Sequence, residues 1–393
     1  MKKKKVVILG AGFGGVEVAR EIHRRTRGKV EIVLVSKKPY FEYYPGLYRV
    51  LSSEPPFEVF VPLKSLIPSK VTLFIDEVIA IELKEKKIVL KEGLIDEYDI
   101  LVLALGSEAF YFNIPGIEKY SLGCKSLVDV RYLRRDLISK INRMHDENKE
   151  LHVVVAGGGP TGVEMAGQLH SLFKDESRFQ DIDCARLKVI LVQADPRLIP
   201  QLGSEKISGK VKERMKSLGI EVYTETKIVE QNESGVVLSN GTLETDTLIW
   251  TAGTQVNTVL QKTEGLMLSP KRKILVNEFL QAKGLDGVYV VGDNADTKYS
   301  GLAQTAVSNG AYVGKAISRV LLGKKIYPYI PNHSPAYVMP VGRFWGIFYF
   351  RGFTITGIIP HMMRYGVDVF YFFRRLHFFN FLRLYIKGRL PEN

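Results

Sequence analysis

The residues with the clearest chemical potential are glycines, because their spacing twice fits a loop that binds the pyrophosphate of a dinucleotide. The pattern G-x-G-x-x-G occurs at Gly10, Gly12 and Gly15 and again at Gly157, Gly159 and Gly162. In such a loop the first glycine makes a tight turn, the second lets the backbone approach the pyrophosphate, and the third lets a helix pack against a strand. The N–H groups that begin this helix favour the anion. Two such loops predict two bound dinucleotides, and the simplest chemistry between them is hydride transfer.

The elements needed to position both loops are present in the flanking sequence. Apolar runs at 6–9 and at 151–156 precede the two loops, and a helical pattern follows each of them. Short apolar runs of this kind are typical of buried parallel strands, and a second one follows in each half, at 30–35 and at 187–192. Each half therefore predicts the beginning of a Rossmann-like domain.

The predicted fold class is α/β, with two Rossmann-like dinucleotide-binding domains, one inserted in the other. A late strand ends at Gly292-Asp293 and leads into a helix up to about Leu322, which returns the chain to the first domain. The expected ranges are 1–115 and 270–325 for the first domain, 116–269 for the second, and 326–393 for a C-terminal region.

We assign a flavin dinucleotide, FAD, to the first domain, because that domain is split and Gly292-Asp293 returns to it. In reductases of this kind the aspartate binds the ribitol, and the nicotinamide nucleotide then belongs to the second domain. The residues expected to contact FAD, besides the first glycine loop, are Gly14, Ser36, Tyr44, Pro45, Ala104, Gly106 and Ala303. Those expected to contact NADH or NADPH, besides the second glycine loop, are Thr161, Gln193, Ala252 and Gly253.

Two of these positions differ from the usual pattern at the end of the second strand, where an acidic residue holds a ribose. Ser36 takes this place in the first domain and Gln193 takes it in the second. A serine hydroxyl can still bond a ribose. A carboxylate would repel the additional phosphate of NADPH and a neutral glutamine does not, so the choice between NADH and NADPH stays open.

The C-terminal region differs in composition from the rest of the chain, because aromatic and basic residues crowd together there. On a helix after Pro360, a polar stripe is expected at Arg364, Asp368, Tyr371 and Arg375. A basic stripe beside a broad aromatic face is typical of a helix at the membrane surface. Burial of the helix in a dimer interface is the alternative. No uncharged apolar run reaches the roughly 18 residues of a spanning helix.

The net charge and the cysteine content indicate which other classes of protein and kinds of site are not expected. The net charge is +13, but no nucleic-acid-binding motif accompanies it, so no nucleic-acid partner is expected. Cys124 and Cys184 are the only cysteines and form no C-x-x-C motif. A disulfide framework is therefore excluded, no metal site is expected, and a reducing compartment is favoured.

The chain resembles the type II NADH:quinone oxidoreductases, the alternative NADH dehydrogenases, within the flavoproteins that have two dinucleotide-binding domains. The motifs behind this resemblance are GAGFGG at 10–15, GGGPTGVE at 157–164, WTAG at 250–253, GD at 292–293 and AQTA at 303–306. The basic aromatic tail also resembles the membrane-anchoring C-terminus of that family.

The resemblance implies FAD, NAD(P)H and a membrane quinone as acceptor, with two electrons transferred and no proton pumping. Glu164 is implied at the junction of nicotinamide and flavin, and Gln304 beside the flavin on the quinone side. The loop at Tyr44-Pro45-Gly46 is implied to cover the flavin. The enzyme is expected as a homodimer, peripheral at the cytoplasmic face of the cell membrane. Ser308 replaces a glutamine of the family's quinone motif.

Two alternatives stay open. A sulfide:quinone oxidoreductase uses paired redox cysteines facing the flavin, and this chain has no cysteine after Cys184. A flavoprotein that acts as a redox-controlled binding module, similar to apoptosis-inducing factor, would show negligible turnover with NAD(P)H and quinone.

Overall fold

The computed structural model describes residues 3–52, 59–147, 149–331 and 334–387. Its helices in chain order are α1 (Phe13–Thr26), α2 (Leu63–Leu66), α3 (Ile117–Tyr120), α4 (Leu127–Asp146), α5 (Pro160–Gln180), α6 (Glu205–Ser217), α7 (Thr258–Lys262), α8 (Ala303–Leu321), α9 (Ile358–Phe373) and α10 (Phe378–Lys387). Short 3-10 helices occur at Tyr44–Val50, Cys184–Arg186, Pro200–Leu202 and Gly292–Asn294.

The first predicted domain contains a five-stranded parallel sheet. Its strands in spatial order are Val288–Val290, Ile100–Leu103, Lys5–Leu9, Glu31–Ser36 and Thr72–Ile75. The central strand pairs with both neighbours in register, Val6 opposite Ile32 on one side and opposite Ile100 on the other. The late strand therefore returns to the first sheet, as the position of Gly292-Asp293 predicted.

The second domain repeats this arrangement. Its five parallel strands in spatial order are Leu122–Gly123, Thr247–Trp250, Leu151–Ala156, Leu187–Val192 and Glu221–Tyr223. Antiparallel sheets complete the fold, at Val78–Glu82, Lys87–Leu90 and Leu94–Asp96, at Ile228–Gln231, Gly235–Leu238 and Gly241–Glu244, and in the pair Tyr40–Glu42 and Phe60–Pro62. The predicted α/β class with two Rossmann-like domains is confirmed.

The chain crosses between the two domains at a short antiparallel pair, Ser107–Ala109 with Thr254–Val256. Val256, at the end of this pair, and Leu260, which follows it, are fully buried in the core of the first domain. We therefore propose that the inserted domain ends near Gly253, before the boundary at 269 that the sequence suggested.

The C-terminal region packs against both domains. Its three strands are Tyr337–Pro340, Gly346–Phe350 and Phe353–Gly357. On the second domain, Arg343 makes a two-pronged ion pair with Asp175 of α5, with N···O distances of 2.9 and 2.8 Å. On the first domain, Arg375 lies 2.7 Å from Glu17 of α1. The region thereby makes ion pairs with both nucleotide folds.

Close packing of strand and helix at the first glycine loop gives a testable consequence. A Cβ atom on Gly15 would lie 1.8 Å from the carbonyl oxygen of Gly10, so Gly15→Ala must move the backbone. We expect a loss of about 2–3 kcal/mol in the free energy of unfolding. Gly209→Ala in α6 is the matched control, because nothing lies within 4 Å and alanine favours helix by about 0.5–1 kcal/mol. Thermal unfolding that ranks Gly15→Ala at or above wild type would contradict the predicted close packing.

Candidate active site

The first glycine loop has the backbone that the sequence pattern predicted. Gly10 has φ +103°, and an added Cβ would lie 2.2 Å from the carbonyl oxygen of Ala104. Gly14 is also restricted, by Val291 at 2.8 Å. Gly12 differs from both, because no atom of the described residues lies within 4 Å of an added Cβ. A glycine is needed at Gly12 for something that approaches from outside the chain, which fits a pyrophosphate.

The second glycine loop repeats this geometry. Gly157 has φ +109°, and a Cβ on Gly162 would lie 1.8 Å from the carbonyl oxygen of Gly157. Around Gly159 the only neighbour within 4 Å of an added Cβ is Nε2 of Gln201, at 3.3 Å. The open side of the loop is thus again at the middle glycine.

The helices that follow the two loops begin differently from α4 and α6. The N-caps of α1 and α5 are Gly12 and Gly159, which have no side chain to cap the helix, and neither helix has an acidic residue in its first turn. By contrast, side-chain oxygens of Ser126 and Ser204 cap α4 and α6. Such oxygens satisfy the N–H groups that begin a helix. Only α1 and α5 in this set offer these groups to an external anion, so both sites fit a dinucleotide.

Two strand ends of the first sheet meet at Asp293. Its Oδ2 accepts a hydrogen bond of 2.9 Å from Ser107, whose Oγ in turn accepts one of 3.1 Å from Nζ of Lys125. Next to it, the side chain of Asn294 accepts a hydrogen bond from Gly106 N–H at 3.0 Å. Asp293 and Gly106 are therefore brought together at the carboxyl ends of adjacent strands, where cofactors bind in open α/β sheets.

Lys125 is a residue that sequence reasoning missed. Burial lowers the pKa of Lys125, while Asp293 acts in the opposite direction. In the sequence, Lys125 is a lysine that follows a cysteine in a segment without other motifs. This pattern does not indicate a function. In the folded chain Lys125 places a positive charge beside the residue predicted to hold the ribitol.

Both residues in the predicted ribose positions have local partners. Ser36 donates a hydrogen bond of 2.8 Å to the carbonyl oxygen of Lys38. Gln193 accepts one of 2.8 Å from Gly158 N–H and donates one of 3.3 Å to the carbonyl oxygen of Arg197. The carboxamide of Gln193 thus lies against the second glycine loop, and no carboxylate occupies that place.

The remaining residues predicted for the nicotinamide nucleotide surround this second loop. Gly253 has φ +70°, and an added Cβ would lie 2.4 Å from the ring of Phe112. Ala252 precedes it and lies 3.0 Å, through its backbone nitrogen, from a Cβ built on Gly157. Thr161 is exposed in the first turn of α5. The structure therefore brings these three residues to one edge of the second sheet.

Tyr44 begins a 3-10 helix, Tyr44–Val50, in the first domain, and we call the segment 43–50 the recess loop. Its side chain is 50% exposed, yet protein atoms crowd around its hydroxyl. Burial of that hydroxyl, together with the nearby Glu42 and Asp293, raises the pKa of Tyr44. The Tyr44 hydroxyl and the Asp293 carboxylate therefore lie near each other, which fits the predicted contact of Tyr44 and Pro45 with a flavin.

Glu164 lies on α5, two residues after the last glycine of the second loop, and is half-buried. Burial raises the pKa of Glu164 to about 7, although Arg364 and Arg49 favour its ionised form. Arg49 comes from the 3-10 helix that Tyr44 begins, and Arg364 comes from α9. The carboxyl group thus lies where the second domain, the recess loop and the C-terminal helix meet, with a pKa suited to proton exchange near neutral pH.

Gln304 lies in the first turn of α8, next to Ala303, and is exposed. Its Nε2 donates a hydrogen bond of 2.9 Å to the carbonyl oxygen of Ala336, at the start of the C-terminal region. Ser308, one turn further on, lies 3.3 Å from the hydroxyl of Tyr329. Gln304 therefore lies between the first domain and the C-terminal region, and its predicted role beside a flavin stays a prediction.

A buried polar cluster is the largest feature that the sequence did not reveal. Asp368 of α9 is fully buried and binds the hydroxyl of Tyr43 at 2.5 Å and Nη2 of Arg49 at 2.5 Å. Arg364 completes the cluster through a hydrogen bond to Asp368. The sequence placed Arg364 and Asp368 on one polar stripe, but nothing in the pattern joined that stripe to Tyr43 and Arg49.

Comparison with known proteins identifies the class. Residues 4–310 match the family model for pyridine nucleotide-disulphide oxidoreductases, and the chain belongs to that family. It is 27% identical over 387 residues to a type II NADH:quinone oxidoreductase of Staphylococcus haemolyticus, covering 93% of this chain and 94% of that protein. This similarity confirms the resemblance that the motifs predicted.

Solved structures with the same fold include enzymes of two activities. NDH2 from Plasmodium falciparum, solved in complex with NADH, matches with a TM-score of 0.83 at 18% identity, covering 99% of both chains. The sulfide:quinone oxidoreductase of Aquifex aeolicus matches with a TM-score of 0.80 at 16% identity, covering 99% of this chain and 96% of that one. The fold therefore extends through the C-terminal region, and the fold alone does not separate the two activities.

The two cysteines help to distinguish an NADH:quinone oxidoreductase from a sulfide:quinone oxidoreductase. Cys124 is buried, and burial raises the pKa of its thiol to about 12. A thiol with so high a pKa is a poor nucleophile, because the thiolate is the reactive form. Cys184 is a separate free cysteine in a surface turn of the second domain. Neither cysteine supports the paired redox chemistry of the sulfide alternative.

Proposed function

We propose that this protein is a flavin-dependent NAD(P)H:quinone oxidoreductase of the type II class, with FAD in the first domain and the nicotinamide nucleotide in the second. One observation supports this most strongly. Glu164, which follows the nucleotide loop of the second domain, lies near enough to Arg49 of the recess loop and to Arg364 of α9 for their charges to favour its ionised form. A proton-exchanging carboxyl group thereby lies where two nucleotide sites converge.

When bound, FAD would accept a hydride from the nicotinamide and deliver two electrons to a quinone. The residues of the chain position the reactants. The glycine loops hold the two pyrophosphates, and Asp293 with Lys125 holds the ribitol side of the flavin. Tyr44 covers the flavin, and Glu164 delivers a proton as the quinone is reduced. Gln304 lies on the quinone side of this arrangement.

The proposal is tested by steady-state oxidation of NADH or NADPH by the purified protein, with and without a short-chain quinone. We expect nucleotide oxidation that depends on quinone, and none when sulfide replaces the nucleotide. Turnover with sulfide alone would favour the sulfide:quinone alternative. A flavin-containing protein without turnover with any donor would favour a redox-controlled binding module.

The neutral Gln193 leads to a prediction about nucleotide choice. We propose that the protein accepts NADPH as well as NADH, because the neutral Gln193 replaces the acidic residue at the end of the second strand of this domain. Gln193→Glu introduces that charge, and we expect kcat/KM for NADPH to fall by roughly 10-fold or more through repulsion of the phosphate. The value for NADH is the internal control and should change little. An equal fall in kcat/KM for both nucleotides would show that Gln193 supports the second glycine loop and does not select the nucleotide.

We further propose that the protein binds a lipid surface as a peripheral protein at the cytoplasmic face. The outer side of α9 and α10 exposes large apolar side chains, at Ile359, Met362, Phe370, Phe373, Phe378 and Phe379. Arg374 and Arg383 are exposed among them, which suits anionic headgroups. No helix within the described ranges is long and apolar enough to cross a membrane. A second copy of the chain is the alternative occupant of this surface.

Removal of this apolar surface should separate lipid binding from catalysis. In the variant with Ile359, Met362, Phe370 and Phe373 replaced by serine, we expect co-sedimentation with anionic vesicles to fall at least about 10-fold, because about four apolar side chains no longer enter the lipid. Turnover with a water-soluble quinone should persist. Phe179→Ser is the matched control, because Phe179 on α5 is also exposed. Retained vesicle binding with loss of dimers in light scattering would favour the dimer alternative.

A further inference from the structure

The C-terminal helix α9 presents its polar stripe inward, which is the reverse of an ordinary surface helix. Arg364 and Asp368 are buried against the first domain, whereas Phe370 and Phe373 on the other side are 59% and 56% exposed. A surface helix of a soluble protein normally buries its apolar side. Charged groups are buried only when they are paired, so the inward side of α9 must be matched by specific partners.

Those partners come from the recess loop. Asp368 accepts hydrogen bonds from Tyr43 and from Arg49, each at 2.5 Å. Arg364 donates to Asp368 on the same helix and to the carbonyl oxygen of Pro45, the latter at 2.6 Å. The guanidinium of Arg49 also lies 4.3 Å from the ring centre of Tyr365, on α9 as well. All of these contacts except the bond between Arg364 and Asp368 join α9 to the segment 43–49.

Two of these bonds lie on either side of Tyr44. Asp368 holds the side chain of Tyr43, and Arg364 holds the backbone of Pro45, so the residue between them is fixed at both neighbours. Bonds to charged partners in a buried setting are the strongest hydrogen bonds available to a loop. The position of the Tyr44 ring is thereby set by a helix more than 300 residues away in sequence.

A second, partly buried ion pair attaches α9 to the first domain through residues outside this loop. Arg375, just beyond the end of α9, lies 2.7 Å from Glu17 of α1. Arg375 also lies 4.0 Å from the ring centre of Tyr371. This pair attaches the C-terminal end of α9 to the first domain. A variant that removes the pair therefore shows what weaker attachment of α9 does by itself.

We propose that the inward side of α9 is a clamp on the recess loop, with Asp368 as the positioning residue that holds Tyr44 in the geometry needed for quinone reduction. The C-terminal helix is then a working part of the active site as well as the attachment to a lipid surface. The inference rests on the proposed function for its kinetic part, whereas its spectroscopic part needs only the bound flavin.

The test compares Asp368→Asn and Tyr43→Phe with Arg375→Met in the full-length, flavin-loaded protein. An aromatic ring held against a flavin quenches flavin fluorescence, so we expect Asp368→Asn and Tyr43→Phe to raise it, by about 2-fold or more in the former. We expect kcat with a water-soluble quinone to fall roughly 10-fold in Asp368→Asn and less in Tyr43→Phe. Arg375→Met should lower thermal stability but leave fluorescence and kcat close to wild type.

Each outcome decides for or against the clamp. If Asp368→Asn and Tyr43→Phe lower thermal stability while fluorescence and kcat stay at wild-type values, Asp368 is structural and the proposal is wrong. If Arg375→Met changes fluorescence and kcat as much as Asp368→Asn, undocking of α9 explains the effect and the clamp is overturned. If Asp368→Asn does not fold, Tyr43→Phe decides alone. Failure of wild type to reduce quinone would overturn the proposed function, and the fluorescence comparison would still test the clamp.

Discussion

Gly12→Ala is expected to give a folded protein that no longer holds its flavin. The added methyl group meets no atom within 4 Å in the part of the chain that the structure describes, and the backbone at Gly12 has φ −79°, which alanine readily adopts. The methyl group would instead point into the approach of the pyrophosphate. Loss of one or two hydrogen bonds to a charged group, at about 1.5–3 kcal/mol each, weakens FAD binding by roughly 100-fold.

Gly159→Ala makes the same change in the second domain and is expected to give a different result. This protein should stay yellow, since the first loop is intact, but NADH should no longer reduce the flavin. The visible flavin absorbance per polypeptide and its loss on anaerobic addition of NADH measure both effects, and circular dichroism checks the fold. Loss of flavin from Gly159→Ala, or its retention in Gly12→Ala, would reverse our assignment of the two sites.

Glu164→Gln is expected to lower kcat for quinone reduction by roughly 100-fold, the usual contribution of a positioned proton donor. Burial raises the pKa of Glu164 to about 7, so the group carries its proton below this pH and is ionised above it. In wild type the rate of quinone reduction should therefore fall as the pH rises through about 7. In Glu164→Gln this inflection should be absent, because the amide does not titrate.

Two controls make the Glu164 result interpretable. Glu176→Gln changes a glutamate on the same helix, where it bonds Gln180, and should leave the pH profile unchanged. The raised pKa means that the folded protein disfavours the ionised carboxylate, so Glu164→Gln should not reduce thermal stability at alkaline pH. An inflection that persists in Glu164→Gln would assign the proton transfer to another group.

Local patterns in the sequence were sufficient to predict the nucleotide folds. The glycine loops, the apolar strands and the helices after them depend on interactions within about 30 residues, and such interactions leave a periodic trace. The predicted strand at 187–192 is observed as Leu187–Val192, and the predicted helix up to about Leu322 ends at Leu321. A loop at Tyr44-Pro45-Gly46 was implied by the family resemblance, although its 3-10 form was not predicted.

The cluster around Asp368 could not be predicted, because its partners are distant in sequence. Asp368 is 325 positions from Tyr43, and no periodic pattern links them. The stripe on α9 was correctly read as polar, but which side of the helix faces the protein depends on the tertiary partners. Since Arg49 and Tyr43 are available in the first domain, the polar side turns inward and the aromatic side outward.

The most direct measurement of the central claim is anaerobic stopped-flow absorbance of the purified flavoprotein with sequential mixing. NADH or NADPH is mixed first and a short-chain quinone second. We predict that the nucleotide bleaches the flavin and that the quinone restores its absorbance. The reoxidation by quinone should be slower in Glu164→Gln. Absence of bleaching with both nucleotides, or bleaching that quinone does not reverse, would contradict it.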